Sequence, residues 1–89
     1  YGVLIAPHNF GTPIAYMANV HAAAAMPRNY IAFEFHSLDD PEWLEMVKGV
    51  EEPLIKDGFT TVPDTAGLGL ELNEPYVRKH LAELETYFE

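Results

Sequence analysis

Ala6-Pro7-His8-Asn9-Phe10-Gly11-Thr12-Pro13 decides how this chain folds. Before it, residues 1–6 (Tyr-Gly-Val-Leu-Ile-Ala) form a short continuous apolar run, the pattern of a strand buried on both faces of a parallel sheet. After it, Thr12-Pro13 reads as an N-cap followed by proline in the first helical turn. The helix continues through Ile14, Met17 and His21, which share one face by their spacing, into four alanines that permit close packing on a sheet. Pro27 ends it, because the residue before a proline avoids the helical region. Residues 30–35 (Tyr-Ile-Ala-Phe-Glu-Phe) form a second strand. Strand, helix and strand make a βαβ unit, whose crossover is right-handed in about 98% of cases. Both strands then end at one edge of the sheet, and His8 and Glu34 with them.

Beyond Glu34 the pattern changes. Residues 36–41 read as a loop, and residues 42–47 as a short helix with Trp43, Met46 and Val47 on its apolar side. Residues 53–56 and 59–62 flank Asp57-Gly58, a strong two-residue hairpin signal. Residues 63–72, holding Gly67-Leu68-Gly69, read as an ordered loop. Asn73 is expected to cap a last helix whose apolar face carries Val77, Leu81, Leu84 and Phe88. There is no internal repeat. The break between Val50 and Pro53 divides the chain into 1–50, the βαβ part, and 51–89, hairpin, loop and helix.

Size bounds what this can be. A complete β/α barrel takes about 250 residues, so 89 residues could hold only its last strands. The chain opens inside a strand, with no Met and no leader, and is expected to be the C-terminal piece of a larger enzyme, inactive alone. The hydrophobic fraction of 48% and charged fraction of 21% are those of an ordinary folded protein. No apolar run approaches the roughly 20 residues of a membrane span. Cysteine is absent, which excludes disulfides and thiolate metal sites and fits a cytoplasmic protein. Fourteen Asp and Glu against five Lys and Arg give a net charge of −9, which argues against nucleic-acid or anionic-membrane partners. An anionic small molecule needs that repulsion offset from outside this segment, most simply by a metal ion. A halophilic source would equally explain the charge.

Two residues stand out chemically. At the C-terminal end of a barrel strand, His8 would serve as a general acid or base; otherwise it is a loop histidine bonded to backbone. Glu34 ends an apolar strand, where a carboxylate needs a partner or a purpose. It would donate a hydrogen bond to a developing oxyanion if protonated, orient a substrate if ionised, or simply pair with a cation outside this chain. His36, two residues on, falls on the same strand face if the extended pattern persists, and is a candidate substrate-binding residue or else a solvent loop residue. His21, among Val and Ala, reads as a satisfied core histidine, and His80, beside Arg78 and Lys79, as surface. The histidine spacings match no compact zinc pattern. Asp39-Asp40 lacks the remaining ligands of a calcium loop, and Gly67-Leu68-Gly69 lacks the strand-to-helix turn of a phosphate cradle.

Ala6-Pro7-His8-Asn9-Phe10-Gly11, His21-Ala-Ala-Ala-Ala-Met26-Pro27 and Phe33-Glu34-Phe35-His36 together resemble the mandelate racemase branch of the enolase superfamily, and within it the acid-sugar dehydratases. Ile55-Lys56-Asp57-Gly58, Val62-Pro63-Asp64 and Gly67-Leu68-Gly69-Leu70-Glu71-Leu72 match that family's C-terminal signature. Ala66 departs from it, standing where relatives usually have proline. The resemblance implies an α/β fold: residues 1–6 and 30–35 as the last two strands of a TIM-type β/α barrel, and residues 51–89 completing an α+β capping domain. It implies His8 as the seventh-strand catalytic histidine and Glu34 as the eighth-strand glutamate that bonds the substrate carboxylate. It implies Mg²⁺ as cofactor, its ligands lying before Tyr1 and none in this segment. The substrate would be a sugar acid or 2-hydroxy acid, and the partners the rest of the same polypeptide and further copies of it.

The shared chemistry is abstraction of the proton α to a carboxylate, giving an enediolate. A dehydratase then expels the β-hydroxyl to give a 2-keto-3-deoxy acid; a racemase or epimerase returns the proton on the opposite face. His8 and Glu34 do not separate these outcomes. A reading from another class makes the chain an autonomous, non-enzymatic α+β binding module, and predicts cooperative unfolding of the isolated 89 residues.

Overall fold

A computed structural model describes residues 1–35 and 40–88. The substrate-binding candidate His36 lies outside the described residues. Thr12 begins the central helix as expected. Its extended backbone (φ −71°, ψ 164°) aims the hydroxyl at Ala15 N–H, which donates to it at 3.3 Å, and Pro13 occupies the first turn. This helix, α1 (Pro13–Ala24), closes before Pro27, with Ala25 N–H donating to His21 O and Met26 N–H to Ala23 O.

The buried face of α1 is Pro13, Tyr16, Met17, Val20 and Ala23. The expected face of Ile14, Met17 and His21 is therefore displaced, since Ile14 and His21 are only half-buried. A helix apolar nearly all round gives the 3.6-residue period little to discriminate. Aromatic partners decide the matter: the Tyr16 ring meets Phe33, Phe35 and Trp43 edge-on at centroid distances of 5.3, 5.5 and 5.9 Å. Tyr16, Met17 and Val20 form the core, with Phe33, Trp43, Val50, Leu54, Leu68 and Leu70 packed against them.

The parallel pair exists, but shorter and further along than the apolar runs suggest. Strand β1 (His8–Asn9) pairs in parallel with β2 (Glu34–Phe35), His8 opposite Glu34. Ahead of it stands a single parallel bridge, Ile5 to Tyr30. Two features break the ladder between them. Pro7 has no N–H to donate, though its carbonyl accepts Glu34 N–H at 3.0 Å. The second strand also carries one more residue than the first between the two paired positions. Instead of lying in a continuous buried strand, Val3, Leu4 and Ile31 are exposed.

The second half is tied to the first by short elements. The expected helix over residues 42–47 is a 3-10 turn, Trp43–Met46, followed by β3 (Val47–Lys48). β3 pairs antiparallel with β4 (Glu71–Leu72), so the stretch expected to be all loop ends in a strand. Asp57 (φ 53°) and Gly58 (φ 81°) turn left-handed, and Lys56 and Phe59 exchange both backbone hydrogen bonds across them. The expected hairpin is thus present as one tight bridge. The last helix, α2 (Glu74–Lys79), has six residues and stops at His80. The longer amphipathic helix does not form: Leu84 has φ 71° and is 97% exposed, and Phe88 is exposed. Nor does Asn73 cap α2 with its side chain; its amide donates to Glu45 O at 2.7 Å instead, tying the 3-10 turn down. The described residues thus form an α/β arrangement, one parallel pair with its crossover helix and one antiparallel pair.

Candidate active site

His8 and Glu34 meet. Nδ1 of His8 donates to Oε2 of Glu34 at 2.6 Å, at the matched position of the two parallel strands. Such a distance is that of a short, charge-assisted hydrogen bond. With the carboxylate accepting, Nδ1 carries the proton, and Nε2 is the ring nitrogen left for another molecule. The side chains remain 69% and 63% exposed, so the pair stands open to solvent at the strand ends.

The local chain accounts for this placement. Alternation along β1 sends Asn9 to the opposite face, where it is 3% exposed while His8 points outward. The buried Asn9 Nδ2 has no hydrogen-bond partner among the described residues. After Asn9 the chain passes Phe10 and Gly11 to the Thr12 cap. Gly11 lies tight against α1, since a Cβ there would come within 3.2 Å of Ala15 Cβ. Its carbonyl accepts the Trp43 indole N–H at 2.8 Å. Trp43 was legible in the sequence as an apolar helix residue but not as a tie to the His8 loop; its being the chain's one tryptophan was the available signal.

The other histidines stay apart from this pair. His21 is half-buried on α1 and its Nε2–H donates to Leu68 O at 3.1 Å, as befits a satisfied packing residue. His80 is exposed, stacks on Tyr76 at 4.1 Å and donates from Nδ1 to Tyr76 O. Burial pushes the Tyr16 phenol above its ordinary value, with Tyr30 adding to the rise and Thr60 opposing it, but Tyr16 sits in the core rather than at the open edge. Among the described residues no three His, Asp or Glu side chains gather closely enough to hold a metal ion. Nor, among them, is any helix long and apolar enough to cross a membrane.

An outward imidazole held by a carboxylate can give or take a proton at Nε2 while the carboxylate offsets the charge on the ring. Such a pair is a candidate fragment of an acid–base site. Residues 1–76 match the family described as enolase C-terminal domain-like. The chain is 39% identical over all 89 residues to a D-xylonate dehydratase of Haloferax volcanii, of which it covers 21%. It also superimposes on a mandelate racemase/muconate lactonizing enzyme-like protein from Rubrobacter xylanophilus DSM 9941, with TM-score 0.76 and 35% identity, over 90% of this chain and 20% of that one. The chain thus spans about one fifth of the length of these relatives. Fold, sequence and the matched residues together place it in the enolase C-terminal domain-like family, as a C-terminal segment of the enolase superfamily.

Proposed function

We propose that this chain supplies the last acid–base residues of a sugar-acid dehydratase. The observation that carries the reading is the 2.6 Å His8–Glu34 hydrogen bond on adjacent parallel strands, facing solvent. The kinship with a protein named D-xylonate dehydratase favours dehydration of an aldonate over racemisation. In this reading β1, α1 and β2 belong to the closing turns of a β/α barrel, and residues 51–89 to a capping domain. More of the same polypeptide covers the open apolar side, a groove of about 680 Å³ walled by Tyr16, Val20, Tyr30, Phe33, Phe35 and Phe59.

The chemistry assigned to this chain is proton handling. Glu34 fixes the imidazole through Nδ1 so that Nε2 faces the substrate. As the β C–O bond breaks, Nε2–H is transferred to the departing hydroxyl, which leaves as water, and the electron pair stays on the ring nitrogen. Glu34 offsets the ring's charge before that transfer. A positioned group of this kind contributes about 10²–10⁴-fold to rate. Mg²⁺, which the family implies, does not fit the described residues of this chain, and no step assigned here runs through it.

The test is His8→Asn in the protein that carries this chain, with D-xylonate as the probe and 2-keto-3-deoxy acid as the product measured. Turnover should fall about 10²–10⁴-fold, with bound magnesium unchanged. Undiminished dehydration would remove His8 from the mechanism. Incubation of the wild type with a 2-hydroxy acid in D₂O separates the rival: α-deuteration with racemisation and no keto acid would make the protein a racemase.

A further inference from the structure

We infer that Trp43 is a positioning residue for the His8–Glu34 pair, acting through the Gly11 carbonyl and the Phe35 ring. The inference rests on the acid–base reading of that pair. Trp43 is delivered by a turn built on Asp40, whose carboxylate accepts Glu42 N–H at 2.9 Å and whose carbonyl accepts Trp43 N–H at 3.1 Å. From there its indole N–H reaches back across 32 residues to Gly11 O at 2.8 Å. Gly11 lies three residues after His8 and just before the cap of α1.

The same ring meets the second strand. Trp43 and Phe35 pack edge-on at 6.3 Å, and Trp43 and Tyr16 at 5.9 Å. Phe35 follows Glu34 and is paired with Asn9 in the parallel ladder. One half-buried indole therefore touches the loop that follows the histidine and the residue that follows the glutamate. The parallel ladder here is only two residues long on each side, and Pro7 contributes no donor. So short a ladder leaves the relative placement of His8 and Glu34 dependent on what braces its ends. Trp43 braces both.

Trp43→Phe keeps an aromatic ring against Tyr16 and Phe35 and deletes the donor to Gly11. The reporter is the His8 Nδ1–H proton in the NMR spectrum of the intact protein, assigned by its loss in His8→Asn. In Trp43→Phe that proton should exchange with water about 2–10-fold faster, and kcat on D-xylonate should fall by a similar factor with KM within about twofold. Tyr16→Phe, a change in the same aromatic cluster that leaves the Gly11 tie intact, should alter neither. If Trp43→Phe fails to fold, β-(3-benzothienyl)alanine at position 43 retains the bicyclic ring and lacks only the N–H. A folded variant with wild-type proton exchange and wild-type kcat overturns the inference, whatever its melting temperature. Full turnover in His8→Asn would instead end the dehydratase reading, and proton exchange alone would then decide the role of Trp43.

Discussion

Replacing Glu34 by Gln separates what the pair does for stability from what it does for rate. The substitution keeps the shape of the side chain and an oxygen that accepts from His8 Nδ1, but removes the negative charge. A hydrogen bond to a charged group contributes about 1.5–3 kcal/mol net, and a neutral one about 0.5–1.5. The difference of about 1–2 kcal/mol applies in full only where water is excluded. In this chain both side chains are about two-thirds exposed, so the pair's share of folding stability falls in the range of surface ion pairs, under about 1 kcal/mol. In the proposed reaction a bound substrate would shield the same two groups, and the whole difference would bear on the barrier. Glu34→Gln should therefore lower kcat about 5–30-fold while changing the unfolding free energy by less than about 1 kcal/mol. The assays are steady-state formation of keto acid from D-xylonate and equilibrium unfolding of the same preparation. A loss above about 2 kcal/mol in stability with kcat unchanged would make Glu34 a structural partner only.

Two glycines in left-handed conformation should respond differently to alanine. Gly69 has φ 76°, and a Cβ there would lie 2.4 Å from Pro63 Cβ and 2.9 Å from Thr65 Oγ1; Gly69→Ala should cost about 2–4 kcal/mol in denaturant unfolding. Gly58 has φ 81° with nothing within 4 Å, so Gly58→Ala carries conformational strain alone and should cost about 1 kcal/mol. Tyr16→Phe removes a buried hydroxyl that has no close hydrogen-bond partner among the described residues and should leave neutral-pH stability within about 1 kcal/mol. Because burial raises the folded-state pKa above the ordinary 10.0, the unfolded chain releases its proton first, and stability falls as pH rises past 10. Melting curves of Tyr16→Phe should lose that part of the alkaline decline; an identical decline would place its source elsewhere.

Local signals with a single physical meaning were legible in the sequence. Thr12-Pro13 starts a helix because one hydroxyl and one fixed φ suffice, and Asp57-Gly58 turns because both residues tolerate positive φ. Signals that depend on a partner were not. Residues 1–6 look like a buried strand, yet Val3 and Leu4 are exposed, because apolar character alone does not supply the neighbouring layer. Val77, Leu81, Leu84 and Phe88 fall at helical spacing, but α2 stops at Lys79, since six residues with little packing do not sustain propagation. Asn73 was a plausible cap whose amide finds a better use on Glu45 O, a contact 28 residues away.

The candidate site shows the same division between rim and contact. That His8 and Glu34 share an edge follows from the parallel strands of a βαβ unit, and sequence reasoning reaches it. That they touch does not follow. Were the register of the Ile5–Tyr30 bridge continued unbroken, His8 would stand opposite Phe33, and Glu34 opposite the inward-facing Asn9. A one-residue slip exchanges the two faces of a strand. The additional residue between Tyr30 and Glu34, at the point where Pro7 withholds a ladder donor, sets the carboxylate beside the imidazole. The proline of Ala6-Pro7-His8 thus interrupts the ladder where the register must change, and the histidine after it receives its partner as a result.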